Sequence, residues 1–545
     1  MPKLIAVLLS IVLLLSLTGC ALMKENVTWE TVPGNTVYTT SEEVVSSGWD
    51  DTVSDAETSA GLHYELRKGT RTVMKDSSVN GNTNGSENES NITDITTVAD
   101  AGSLSSTVPS SYVSKYDEQA KKLRNQIKNS ADAVKVNGTT YYVSNNGDDN
   151  NNGTSPSTAW KTLSKVSAMQ SALKEGDAVL LERGSLFRTT KAVGLKSGVS
   201  YGAYGSGAKP CVYGSSQNYA NAVWENVGTN LWKLNDGIGT NIGIIVFDHG
   251  RATGYWRDTK AELTKNYDYS TEGGYVTLYL DKNPTKAFSS IEIGGNGYLY
   301  WMDNGSHDIL IENICFKYIG GHAVRGSNCS NITVRNLEIG YVGGCILTGY
   351  GDGKTRYGNG IEFMSNSQNI LVENNWIYQI YDSGVTHQGS GNYHLKGFTV
   401  RNNLIEYCGM GSIEYWHTAD CDISDVTYEG NLLRFAGYGF GGSQRPDKNM
   451  TGHIMSNGKP TGAGYNKATN FIIKNNLFEL STYQLVNATS SANTPPVLSG
   501  NTYVQWKDKW LGYYTNVINR KFDDDVLNLL QGVWGDSAAT VIFAE

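Results

Sequence analysis

The chain has 545 residues, with 44 Lys and Arg against 53 Asp and Glu, and its net charge of −9 argues against nucleic acid as a partner. Gly (61) far outnumbers Pro (10), which suits a turn-rich chain, while the 33 Tyr and 12 Trp serve sugar stacking and core filling equally well. Beyond Cys20, the cysteines are Cys211, Cys315, Cys329, Cys345, Cys408 and Cys421; no two form a close metal-type pair, so buried free thiols are expected and no metal site.

At the amino terminus Lys3 precedes an apolar run over residues 4–17, too short for a comfortable permanent span, which reads as an export signal. The run ends Leu17-Thr18-Gly19-Cys20, which is similar to the lipobox of bacterial lipoproteins. That resemblance implies a signal peptide over residues 1–20, lipidation of Cys20 and residence in the bacterial cell envelope on a lipid anchor. Residues 21–113 turn to Ser, Thr, Asn, Asp, Glu and Gly, too polar to offset the entropy of ordering, and are expected to form a flexible tether. Between Tyr116 and Ala133, Ala120, Leu123 and Ile127 share one helical face. This helix, within residues 114–136, is expected to cover the open amino-terminal end of the domain that follows.

The main domain is placed at residues 137–505. It opens with a strand at residues 140–144, a turn-rich stretch at 145–155, a helix starting near Trp160-Lys161-Thr162-Leu163 and a strand near residues 175–181. Asp148 to Gly153 partly matches a calcium loop, but Ala159 stands where the closing acidic ligand should be, so a turn ahead of Trp160 is the better reading. Residues 212–300 carry short strands at 224–226, 231–234, 244–247 and 275–280, a small β insertion. It either narrows one end of a groove or pads the fold.

Between about residues 308 and 504 the chain repeats an apolar–x–apolar pattern followed by Asn. Examples are Ile309-Leu310-Ile311-Glu312-Asn313, Ile370-Leu371-Val372-Glu373-Asn374-Asn375 and Phe398-Thr399-Val400-Arg401-Asn402-Asn403. Aligned on Asn313, Asn336, Asn375, Asn403, Asn431, Asn476 and Asn501, the steps are 23, 39, 28, 28, 45 and 25 residues. Period-two alternation, abundant β-branched residues and one Asn bend per unit describe the stacked coils of a parallel β-helix, with the Asn side chains in a ladder. Residues 506–545, with a final strand and a short helix at 523–530, are expected to cap the carboxyl end.

These repeats, with the strand, loop, helix and strand of residues 140–181, resemble the right-handed parallel β-helix proteins of the pectate-lyase-like superfamily. The resemblance covers most of residues 139–504. It implies the fold, an all-β solenoid. It does not choose among the lyases, glycoside hydrolases, epimerases, esterases and adhesins that share it.

Equivalent positions of successive coils form columns about 4.8 Å apart. Taking Ile361, Val385, Ile413 and Phe440 as inward turns Glu362, Thr386, Glu414 and Gly441 outward, and Val324-Arg325 extends the column backwards. Glu362 and Glu414 then lie two coils apart, near the spacing of an inverting glycosidase, while Asp382 beside the same strand offers a shorter, retaining geometry. Glu362, Asp382 and Glu414 are therefore the candidate catalytic residues. Arg325, His387, Tyr415, Trp416, His417, Arg434 and Arg445 are the candidate substrate-binding residues. His387 and Tyr415 have inward parity, for which a core role is as good a reading; His417 and Arg445 are placed in loops.

Three functions fit this pattern. A glycoside hydrolase would use the carboxylates as acid and base or nucleophile, need no cofactor and act as a monomer on an extracellular polysaccharide or oligosaccharide. A polysaccharide lyase would use the Arg, His and Tyr residues and leaves room for calcium. A non-catalytic glycan-binding or cell-wall-binding surface protein would use the same groove with its aromatics. The hydrolase is favoured.

Overall fold

A computed structural model describes residues 108–349, 353–389, 393–417, 421–446, 450–456, 467–488, 495–514 and 518–545, and two strands further upstream. The signal peptide, Cys20 and most of the tether lie outside the described residues. Within the stretch expected to be a flexible tether, Leu62–Arg67 pairs antiparallel with Thr70–Lys75. Here Leu62, Tyr64 and Leu66 alternate with polar residues ahead of Gly69, a hairpin-like pattern.

Three sheets of ten strands form the body, each built almost wholly from parallel pairs between successive coils. One coil runs from His307–Glu312 in the first sheet to Cys315–Ile319 in the second and His322–Ser327 in the third, then back to Ser330–Arg335 in the first. The chain is thus a right-handed parallel β-helix. Its interior is one apolar cluster from Val143 to Ala539, filled at successive rungs by Ile311, Val334, Val372, Val400, Tyr428 and Ile473.

The bend between the first and second sheets uses two adjacent residues rather than one. Left-handed backbone falls on Asn313, Asn336, Asn374, Asn402, Gly430, Asn475 and Gly500. The ladder belongs to the following position: Asn375, Asn403, Asn431 and Asn476 each donate Nδ2–H to the Oδ1 of the next Asn at 2.9–3.1 Å. Asn501 ends it by donating to Asp536 Oδ2 (2.9 Å). The sequence alignment mixed these columns, since Asn313 and Asn336 are bends whereas the five later residues are ladder members. A buried amide is tolerable only with its hydrogen bonds made, and the stacked copies make them for one another.

Trp224–Gly228, Leu231–Leu234, Ile242–Phe247 and Thr277–Tyr279 are strands of the insertion, which has its own apolar core around Phe247, Tyr267 and Leu278. In the suggested calcium loop, Asp149 accepts from Lys161 N–H, Thr162 N–H and the Thr162 hydroxyl, so its carboxylate closes the turn ahead of the helix Leu163–Met169. The amino-terminal helix Asp117–Lys128 does not sit over the open end. It lies along the outer face of the second sheet, where Arg124 meets Glu406 (3.1 Å) and the Trp376 ring (5.0 Å). At the carboxyl end Thr540–Ala544 pairs parallel with Thr502–Trp506.

Candidate active site

On the third sheet, residues alternate between the apolar interior and the outside. Val324, Ile361, Val385 and Ile413 point inward, which turns Arg325, Glu362, Thr386 and Glu414 outward on successive, directly paired rungs. The expected column holds over these four residues. It fails at the fifth, where Met455 of Gly452–Ser456 pairs with Glu414. Gly441 lies instead in the short helix Phe440–Gln444, whose first amide, Phe440 N–H, donates to Gln379 Oε1 (2.9 Å).

The two carboxylates of the column have opposite electrostatics. Both are 5% exposed. Glu362 accepts from Arg325 Nε (2.8 Å) and Asn359 Nδ2 (2.9 Å). Burial alone would raise its pKa, but His322, Arg325 and these hydrogen bonds outweigh burial and hold it below the usual carboxylate value. His322 accepts at Nδ1 from Asn359 N–H (2.9 Å), so its proton sits on Nε2, 3.5 Å from Glu362 Oε1. Burial lowers His322 to about 4, leaving Arg325 as the charge that keeps Glu362 ionised near neutrality.

Glu414 pairs with no cation among the described residues. It accepts from Ser383 Oγ (3.2 Å) and, at longer range, from Gln388 Nε2 (3.5 Å). Burial pushes it up to about 7; hydrogen bonds from Thr386 and Ser383 oppose the shift, and the negative charge of Glu362 adds to it. Near neutral pH the site therefore pairs a carboxylic acid with an ionised carboxylate two rungs away, on the order of 10 Å between backbones.

Asp382 turns its carboxylate to an ion pair with Arg445 Nη1 and to Gly358 N–H (3.2 Å), while its neighbour Ser383 contacts Glu414. Arg445 reaches it from the end of the helix Phe440–Gln444 and lies over Tyr381 (5.6 Å). Arg356 ties that wall together. It donates to Gln444 Oε1 (2.9 Å) and to Gly243 O of the insertion (2.7 Å). Trp416, in register with Gln388, faces outward beside Glu414, is nearly buried, and has no hydrogen-bond partner at Nε1 among the described residues.

Four candidates are placed elsewhere. His387 and Tyr415 point into the core. Nδ1 of His387 lies 2.7 Å from His417 Nε2 and its Nε2 lies 2.6 Å from Tyr428 Oη, while Tyr415 packs edge-on against Phe471. His417 is the last residue of the strand Gly411–His417, not part of a loop, and its inward parity buries it against His387. Burial drives the pKa of His387 far down and that of His417 to about 3, so both are neutral core groups. Arg434 is on the second sheet, fully buried, and held by Glu406 (3.2 Å), Glu479 and Asp117 (2.5 Å).

Sequence reasoning missed Asn359, Ser383 and Gln388, which hold the two carboxylates. It also missed Tyr298 and Trp301, which stack on each other (5.3 Å, 14°) beneath Arg325. Trp301 was within reach: extending the alternation one rung back from Val324-Arg325 leads to Tyr300-Trp301.

No family model matches the chain. A lacto-N-biosidase of Bifidobacterium longum subsp. longum is 27% identical over 326 residues, a match covering 55% of this chain and 18% of that protein. The chain therefore spans less than a fifth of that relative's length. Among solved structures, XylC with xylose is similar at a TM-score of 0.39 and 12% identity, over 70% of this chain and 73% of that one. A GH136 lacto-N-biosidase from Eubacterium ramulus has a TM-score of 0.32 at 15% identity (72% and 66% covered), and pectate lyase Pel9A 0.33 at 11% (71% and 74%). The three parallel sheets themselves show the fold, a parallel β-helix.

Proposed function

We propose that the chain is a glycoside hydrolase acting on an oligosaccharide or polysaccharide, with Glu414 as general acid and Glu362 as its ionised partner. The observation that carries this reading is the divergence of two buried carboxylates on one outward column, one raised to about 7 and one lowered. Glu414 holds a proton to give to the leaving oxygen. Glu362, kept ionised by Arg325, activates a water across the scissile bond, and the two-rung spacing leaves room for that water as inversion requires. The likeness to a lacto-N-biosidase supports carbohydrate as the substrate class. Against a lyase, the outward guanidinium groups are already engaged, Arg325 with Glu362 and Arg445 with Asp382.

Incubation with a panel of polysaccharides and oligosaccharides, following reducing ends and ultraviolet absorbance together, tests the reading. Reducing ends without absorbance are expected. Absorbance from a new carbon–carbon double bond would make the chain a lyase, and glycan binding without either signal would make it a surface binding module. Comparing Glu362→Gln with Asp382→Asn identifies the partner carboxylate: the former should lose turnover and the latter retain more of it.

We also propose export to the bacterial cell envelope and anchoring through a lipid on Cys20, supported by the apolar run and Leu17-Thr18-Gly19-Cys20. Cys20→Ala should move the protein from the membrane to the soluble fraction; unchanged membrane association would refute the anchor.

A further inference from the structure

The outward column continues past Arg325 toward the amino-terminal end. Its rungs, in order, are Gly194, Trp301, Arg325, Glu362, Thr386 and Glu414, each paired in parallel register with the next. At about 4.8 Å per rung, Trp301 stands roughly 10 Å from Glu362 and Gly194 roughly 15 Å, measured between backbones.

Trp301 is held and partly exposed. Its ring stacks on Tyr298, and the Arg325 guanidinium, which donates to Glu362 and to Tyr298 Oη (3.2 Å), lies over it at 5.0 Å. The next rung on the opposite side is Gly194. A Cβ built there would meet no heavy atom within 4 Å, so that position is open space beside a fixed indole. A partly exposed indole braced by Tyr298 and Arg325, on the same outward column as the two carboxylates and one rung from open space at Gly194, suits the flat face of a pyranose. Successive rungs and successive sugars of a bound chain advance by similar amounts, so the same ligand can lie over Glu362 and reach Trp301.

We propose that Trp301 and the open rung at Gly194 form a stacking subsite for a sugar ring, and that the substrate is a chain extending about two rungs beyond Glu362 toward the amino-terminal end. This rests on the hydrolase reading for the position of the cleaved bond, but not for binding. It predicts preference for longer chains, with selectivity for a sugar whose ring presents an apolar face at that remote position.

The test compares the affinities of disaccharides and hexasaccharides prepared from xylan, galactan and polygalacturonate, measured by calorimetry on the Glu414→Gln protein to prevent turnover. The hexasaccharide-to-disaccharide affinity ratio should fall on the order of tenfold in Trp301→Ala, the worth of one stacked ring. Gly194→Val should lower the same ratio by filling the niche. It places a strand-forming side chain where there is room, so its fold is retained even if loss of the indole disturbs Arg325. A ratio unchanged in both variants, or a parent that binds none of these chains, overturns the subsite. Hexasaccharide binding that depends on Trp301 without turnover by the parent would sink the hydrolase and leave the subsite standing. Turnover indifferent to chain length and to both substitutions would do the reverse.

Discussion

The outer faces of the second and third sheets both carry Arg and two Glu residues two coils apart, and they do opposite things. On the second sheet Glu406, Arg434 and Glu479 occupy successive coils, and the amino-terminal segment closes over them, adding Arg124, Asp117, Tyr112 and Ser114. Each charge there has its counter-charge. On the third sheet Arg325 satisfies Glu362, Thr386 is neutral, and Glu414 is left buried with hydrogen bonds but no cation among the described residues. Balance makes a seam; a single missing cation makes an acid. Burial of charge on a solenoid face therefore says little about function until the partners are counted.

The sharpest break in that comparison comes from Glu414→Gln. Turnover should fall roughly 10²–10⁴-fold, the usual worth of a positioned acid, in a reducing-end assay. Arg434→Met should do the converse, costing about 3–5 kcal/mol in urea unfolding by leaving Glu479 without its cation and Glu406 with Arg124 alone, while protein that remains folded keeps its kcat. An equal loss of kcat would mean that the strapped face also serves the reaction.

Glu414 should also carry a stability cost that Arg434 does not. In the unfolded chain its carboxyl ionises from about pH 4.5, whereas in the fold it keeps its proton to about 7. Stability is therefore lost progressively as pH rises between those values, up to about 3 kcal/mol above pH 7. Glu414→Gln removes the penalty, so its Tm should exceed the parent's at pH 8 and match it at pH 4. The same proton gives kcat an alkaline limb near pH 7, where the acid is lost, with the acid limb lower because Glu362 stays ionised further down. The smallest effect belongs to Thr386→Val: removing a hydrogen bond that lowers the pKa of Glu414 should move the alkaline limb upward by a fraction of a unit. A downward shift would mean that Thr386 bonds the protonated form instead.

Much of this was legible in order. The recurring Asn residues marked the coils, and strand parity placed Arg325, Glu362, Thr386 and Glu414 on one face, because a period of two leaves no other choice once Ile361, Val385 and Ile413 are inside. The errors have local causes. Gly439-Phe440-Gly441 imitates the Gly–apolar–x start of a third-sheet strand, yet Phe440 N–H finds the Gln379 side chain and the segment turns into a helix. The strand expected to end at Tyr415 runs two residues further, to His417, and this reverses the assignment of His417 from loop to core.

The sequence by itself determined the coil, its bends and which side chains face outward, since these follow from alternation and backbone preference within a few residues. Only the tertiary structure decided which outward faces stay open. The segment that covers Arg434 contributes Asp117, 317 residues away, and the groups that hold Glu362 and Glu414 at different protonation come from neighbouring coils. A pKa is set by burial and by charges across space, and neither is encoded in the spacing of residues along the chain.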